Sequence, residues 1–237
     1  IERKEGYWIK LTGETDLNVE GLPTDPGMVY SLHGGSNLIS YPFAGFAPLI
    51  ETIPEEAQNS IIGIIGENVS AYNSEDGWIG GLMDLSGTEG YWFITSEDVD
   101  FAYNPPTEGM ARMVSPVRAV PSEYSYRQST QQAFYFVENA TIGGEPLENE
   151  DLIIAYNGNV IIGARYWYGE TTDIPAMGAD ADQKYALQRT SLRLVDLSPR
   201  QALRANATIA IGNSPVQFLS PRQQAQAGLV AVRETES

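Results

Sequence analysis

The sequence predicts a mostly β chain, built as two tandem β-sandwich-like modules with little helix. Three observations carry that expectation. Gly6-Tyr7-Trp8-Ile9-Lys10-Leu11 returns, lightly altered, as Gly90-Tyr91-Trp92-Phe93-Ile94-Thr95, 84 residues further on. A period longer than a solenoid unit belongs to domain-sized modules in tandem. Short β-prone runs alternate with Gly, Pro, Asn and Asp through residues 13–105, the punctuation of strands joined by turns. Finally, Asn157-Gly158 stands between the apolar runs Leu152-Ile153-Ile154-Ala155-Tyr156 and Asn159-Val160-Ile161-Ile162. That dipeptide favours the type I′ turn of a hairpin.

In chain order, the first module occupies residues 1–105. It is opened by the Gly-Tyr-Trp run at residue 6, which reads as the last strand of a preceding repeat. Because the chain begins at Ile1, it reads as a fragment of a longer protein. Val29–Leu32 and Asn37–Tyr41 are strand candidates on either side of the turn His33-Gly34-Gly35-Ser36. Leu49–Ile53 and Pro54–Ala57 predict one short helix or two turns, since Pro54 cannot lie inside a long helix. Ile61–Gly66 is a buried strand bounded by glycine. Val69–Tyr72 and Gly77–Ile79 flank an acidic turn, and Tyr91–Ile94 closes the module. Residues 106–121 contain Pro106, Pro116 and Pro121 and read as a stiff linker, because proline supplies no amide to a sheet. The second module, residues 122–237, contains the β-prone Ala133–Val137 and the Asn-Gly hairpin. From about residue 184 it changes to an atypical basic tail, read either as genuine strands, with Ala207–Ile211 a candidate, or as a stretch foreign to the module.

Charge divides along the chain in the same way. Residues 1–183 carry 28 acids and 7 Lys/Arg, whereas residues 184–237 carry 3 acids and 7 bases. A surface this acidic repels phosphates and anionic lipid heads, so nucleic acid is not an expected partner. No apolar run approaches the roughly 18 residues of a spanning helix, so membrane insertion is not expected either. Cysteine is absent, which accords with an oxidising compartment.

Gly35-Ser36-Asn37-Leu38-Ile39-Ser40-Tyr41-Pro42, Gly77-Trp78-Ile79-Gly80-Gly81-Leu82 and Gly87-Thr88-Glu89-Gly90-Tyr91-Trp92 together resemble a β-rich module of large secreted proteins from marine and Bacteroidetes-like bacteria. In that module a G-x-N-L-I-S-x-P segment begins the domain and G-x-G-Y-W ends it. Thr88-Glu89 departs from the Pro-Gly often found there. Gln131-Gln132-Ala133-Phe134-Tyr135-Phe136, Asp151 to Asn159 and Gly163-Ala164-Arg165-Tyr166-Trp167 are similar to a second module near the C-termini of such proteins. The resemblance covers roughly residues 6–180. It implies a secreted, modular, β-built chain at the cell surface or outside it, with neighbouring domains of the parent protein as partners. It carries over no catalytic residue.

Four groups of residues are candidates for chemistry. Tyr166, Trp167 and Tyr168 are consecutive aromatics that cannot all face one side of a strand. An outward ring beside polar groups can stack on a sugar face, so these three, with Trp78, are the candidate contact for a polysaccharide or cell-surface glycan. The alternative is that another strand covers the outward ring. Trp8 and Trp92, at equivalent repeat positions, read as core. Glu148, Glu150 and Asp151, and separately Asp98 and Asp100, put several carboxylates in short loops and are the candidate calcium ligands, calcium being structural if present. Neither loop has EF-hand spacing, and solvated turns are the simpler reading. Ser31 and His33, with acids plentiful, invite a hydrolase arrangement, but the Gly-x-Ser-x-Gly elbow is absent. With one histidine and no cysteine, zinc is disfavoured. A two-carboxylate glycosidase remains open. The expected function is therefore non-catalytic glycan binding or anchoring, with a small glycan or ester hydrolase and a structural spacer as the alternatives.

Overall fold

The computed structural model describes residues 24–87, 89–106, 117–129, 131–142, 144–169, 171–178, 190–195 and 207–211, together with 4–7, 9, 11, 13, 15 and 16. Trp8, on which one core expectation fell, lies outside the described residues, as do 107–116 of the proline-bearing stretch. The chain divides into two units, Ile1–Ser115 and Pro116–Ser237. Both are mostly β.

Unit 1 begins with β1 (Tyr30–Leu32), β2 (Gly35–Ser40) and β3 (Phe46–Pro48). Two four-residue helices follow, α1 (Leu49–Thr52) and α2 (Glu55–Gln58). Pro54 separates them and caps the second, because it cannot donate the amide that a continuous helix would need. Then come β4 (Ile61–Gly66), β5 (Val69–Ser74), β6 (Gly77–Gly80), β7 (Asp84–Ser86), β8 (Gly90–Thr95) and β9 (Val99–Phe101). An antiparallel sheet has the order β2-β8-β4-β5-β6, and β1 pairs β9 while β3 pairs β7. The three-residue strands β3, β7 and β9 were not among the strands expected from the sequence.

Tyr30, Leu32, Ile39, Tyr41, Ile64, Tyr91, Phe93, Phe101 and Tyr103 are among the buried residues of one core. Within β8 the burial alternates, so Tyr91 and Phe93 face that core. Trp92 is half-buried on the opposite face, which corrects its expected core position; the two-residue period of a strand gives adjacent residues opposite faces. The chain just before and at Gly6 docks on this same unit. Glu5 bridges Ile39, the Gly6 amide donates to the Leu38 carbonyl at 3.1 Å, and a Cβ added at Gly90 would lie 3.1 Å from the Gly6 Cα. The two copies thus meet at their glycines.

Unit 2 contains β10 (Gln132–Ile142), β11 (Glu145–Pro146), β12 (Leu152–Asn157), β13 (Val160–Tyr166), β14 (Thr172–Met177), β15 (Thr190–Val195) and β16 (Ala207–Ile211). One sheet runs β11-β10-β14 with β16 also on β10, and the other runs β13-β12-β15. Between them lie Tyr135, Val137, Ile153, Ala155, Ile162, Trp167 and Ile174. The expected hairpin forms, with Asn157 opposite Val160. Its loop is one residue later than expected, at Gly158-Asn159. Gly158 has φ 60° and no positive φ is recorded for Asn159, so this is the glycine-first II′ pattern rather than I′. A register shift between Ala155 and Tyr156 moves the turn. The basic stretch supplies β15 and β16, each paired antiparallel within the unit, as the strand reading of that region expected.

Candidate functional site

The sequence-predicted aromatic contact is dispersed. Strand alternation puts Trp167 in the core of unit 2, where it is 6% exposed, and its amide donates to the Asp151 carbonyl at 2.9 Å. Tyr166 points to the opposite face. There it packs with Leu152, Ile154 and Ala164 beneath Val120, Tyr124 and Tyr126, and the Arg118 guanidinium sits 3.8 Å above its ring. The segment 117–126 therefore acts as the cover that the alternative reading required. Tyr168 is 38% exposed, yet its hydroxyl donates to Asp173 Oδ1 at 2.7 Å and accepts from the Asp173 amide at 3.1 Å. Burial, then the Asp173 charge, pushes the Tyr168 phenol well above its ordinary pKa. In unit 1, Trp78 is half-buried against the core and its indole N–H donates to Gln58 Oε1 at 2.8 Å. The buried Trp167 presents no ring to a ligand, so Tyr166, Trp167 and Tyr168 form no common aromatic platform within unit 2.

The acidic loops are turns tied by their own carboxylates. Asp151 is fully buried, and its Oδ2 accepts the Glu148 amide at 2.9 Å while its own amide donates to the Glu148 carbonyl. Glu148 and Glu150 project into solvent. Asp98 Oδ1 accepts the Gly34 amide at 2.8 Å. Among the described residues, no three His, Cys, Asp or Glu side chains converge on a metal position.

A different grouping emerges at the end of the β1–β9 ribbon. Ser31, Leu32, His33, Asp98, Val99 and Asp100 line an open groove of about 370 Å³. Its geometry follows from pairing. Ser31 stands opposite Asp100 and Leu32 opposite Val99, so continuing the register sets His33 beside Asp98. Residues two apart share a face. Leu32 and Phe101 turn inward, leaving Ser31, His33, Asp98 and Asp100 exposed together.

The floor beneath them is rigidly held. Asn37 accepts the His33 amide at 3.1 Å and donates to the His33 and Gly35 carbonyls. Thr95 Oγ1 donates to the His33 carbonyl at 2.7 Å. Gly35 adopts φ 113°, open to glycine and strained for other residues. The Asn37 of the G-x-N-L-I-S-x-P segment thus builds a loop, and the adjoining glycine lets that loop turn. The sequence contained the signals Ser31-x-His33 and Asp98-x-Asp100. They could not be joined without knowing that residues 99–101 form a strand against residues 30–32.

The same geometry argues against a hydrolytic triad. His33 Nδ1 faces the Gly34 carbonyl at 3.0 Å, rather than a carboxylate that would orient the ring. Asp98 spends one oxygen on a backbone amide. The groove is open, with none of the water-excluding walls that strengthen charge stabilisation.

Comparison with protein-family models, with curated proteins and with solved structures gives no match. Function must be argued from the site.

Proposed function

We propose that the chain is a non-catalytic pair of β modules from a secreted multidomain protein, which binds a polysaccharide or cell-surface glycan and so anchors its parent at a surface. The observation that carries this reading is the open groove on unit 1, where exposed Ser31 and Asp100 stand opposite each other on β1 and β9 and His33 and Asp98 lie in the adjoining hydrogen-bonded turns. An open polar groove suits a long, hydroxyl-rich chain that passes through it, and pre-ordered contacts reduce the entropy lost on binding. The resemblance of residues 6–180 to modules of secreted bacterial proteins supports the extracellular setting. The contact differs from the aromatic one expected from sequence, because Trp167 is in the core and Tyr168 and Trp78 are hydrogen-bonded within the protein.

Affinity electrophoresis of the whole chain through gels containing soluble glycans, with pull-down on insoluble ones, tests the reading. Retardation that is lost in Ser31→Ala/His33→Ala, with the fold intact by circular dichroism, is the expected result. Retardation unaffected by that double variant moves the contact elsewhere.

The second reading, a hydrolase, is favoured by one observation, the placement of a serine, a histidine and two aspartates on one face. A screen against glycan and ester substrates at high protein loading decides between them. Turnover abolished by His33→Ala would establish the hydrolase and remove the non-catalytic reading.

A further inference from the structure

The repeat that opens the chain runs further than its aromatic start. At the same offset of 84 residues (90 − 6), Glu5-Gly6-Tyr7-Trp8 is identical to Glu89-Gly90-Tyr91-Trp92. The match continues through Thr12-Gly13-Glu14-Thr15-Asp16-Leu17-Asn18-Val19, against Ser96-Glu97-Asp98-Val99-Asp100-Phe101-Ala102-Tyr103. The second copy is therefore both closing strands of unit 1, β8 and β9. Its buried positions are apolar in the first copy too. Tyr91, Phe93, Phe101 and Tyr103 belong to the core of unit 1, and Thr95 is buried beside them. Their counterparts are Tyr7, Ile9, Leu17, Val19 and Leu11. The exposed acids Asp98 and Asp100 correspond to Glu14 and Asp16, so the alternation of faces is repeated as well. Yet Tyr7 is 46%, Ile9 58% and Leu11 57% exposed. Single exposed apolar residues are ordinary, whereas three at alternate positions form a stripe, the mark of an interface.

We infer that residues 5–19 are the closing strands of a second module built like unit 1, and that Tyr7, Ile9 and Leu11 are the face on which that partner's core closes. Unit 1 shows what covers such a face. There the strand lies between β2 and β4, with Tyr91 opposite Ile39 and Phe93 opposite Ile64. The partner is thus a β module with a β2-like strand, an isoleucine-rich strand like β4, and an open slot between them. Adding a strand to such a slot supplies backbone hydrogen bonds, while pockets for alternate side chains supply specificity. Unit 1 itself has no vacancy for the stripe, because β8 fills its slot. A second copy of the chain is a poor occupant, since residues 1–115 carry 18 acids against 4 Lys/Arg and like charges repel. The run is also anchored at its start. The Gly6 amide donates to the Leu38 carbonyl, and the Ser40 amide donates to the Lys4 carbonyl at 3.2 Å, which adds the chain to the outer edge of β2. The strand that closes the partner therefore also borders unit 1. This surface is separate from the groove and stands whether or not a glycan binds there.

The experiment extends the whole chain with a second copy of residues 24–89 joined directly to Gly6, so that residues 6–19 follow Glu89 as residues 90–103 do. Calorimetry and amide hydrogen exchange read the result. The expected outcome is an additional cooperative melting transition, with exchange at Tyr7 to Leu11 slowed at least about tenfold relative to the unextended chain. Tyr7→Ser/Ile9→Ser should abolish both changes. In the unextended chain the same double variant should leave the melting of both units where it was, because those side chains are exposed. An added segment that stays unfolded overturns the inference, and so does an added segment that folds equally well with the double variant. Lower stability of the unextended double variant overturns it too, by showing that the stripe is already covered within the chain. Self-association of the unextended chain in ultracentrifugation, lost in the double variant, would make a second copy the occupant and overturn it as well. None of these outcomes bears on glycan binding, which gel retardation tests separately.

Discussion

Tyr103 shows what a single buried hydroxyl costs. Its ring packs edge-on to Tyr30, Tyr41, Phe93 and Phe101, with centroids 5.0–6.3 Å apart, while its hydroxyl has no hydrogen-bond partner among the described residues. An unsatisfied buried polar group costs about 1–3 kcal/mol. Tyr103→Phe should therefore leave stability unchanged or raise it, as read by urea unfolding; a loss of more than about 1 kcal/mol would reveal a partner for the hydroxyl. The neighbouring phenols share a pH signature. Burial raises the pKa of Tyr30, Tyr41, Tyr91 and Tyr103, and of Tyr168 in unit 2. In the unfolded chain they ionise near pH ~10. Above that pH the unfolded state has released protons that the native state keeps, so stability must fall as pH rises. Below it the contribution is complete. Melting temperatures between pH 8 and 11 should be flat and then drop, and a rise above pH 10 would refute the assignment of these phenols as buried in their neutral form.

At the scale of elements, unit 2 is held by what crosses between its two sheets. Arg165 on β13 and Asp173 on β14 form a buried ion pair at 3.1 Å, 5% and 0% exposed. Arg165 Nε also donates to the Asp173 carbonyl, and Tyr168 closes the group. Removing one partner of such a pair strands the other charge in a low-dielectric interior. Asp173→Ala should cost about 3–5 kcal/mol in denaturant unfolding, whereas a cost below about 1 kcal/mol would mean that water reaches Arg165. Close beside it, the backbones of β13 and β14 touch at Gly163, where an added Cβ would overlap the Pro175 carbonyl. Since the obstruction is backbone, a rotamer change cannot relieve it. Gly163→Ala should destabilise by about 3 kcal/mol, the upper end of overpacking costs. Wild-type unfolding behaviour in that variant would show that the sheets slide apart easily.

Over the whole molecule, charge is the lever. Most of the net −17 belongs to residues 1–115, and self-repulsion opposes a compact state. Raising salt from about 0.01 to 0.15 M shortens the screening length from ~30 to ~8 Å. The melting transition of unit 1 should move upward, and further than that of unit 2; calorimetry that shows a fall for unit 1 would contradict the charge argument. The strand-rich class, the break in any long helix at Pro54, the existence of the hairpin around Gly158 and the strand at Ala207–Ile211 could be read directly, because each depends on neighbours within a few residues; the hairpin's exact turn could not. The candidate site could not. The aromatic triplet was rightly divided between two faces by alternation, but which face is solvent depends on residues 117–126 lying over Tyr166. Likewise Ser31, His33, Asp98 and Asp100 are ordinary turn and strand residues until β1 and β9 pair.

What the amino-acid order determined by itself is the period of each segment: alternation, turn chemistry and charge are local properties, set by sterics and solvation within a few residues. What only the tertiary structure decided is which strands are neighbours. Strand pairing distant in sequence depends on the balance of all competing contacts: the packing within unit 2 buries Trp167, and the pairing of β1 with β9, some 70 residues apart, opens the groove around His33.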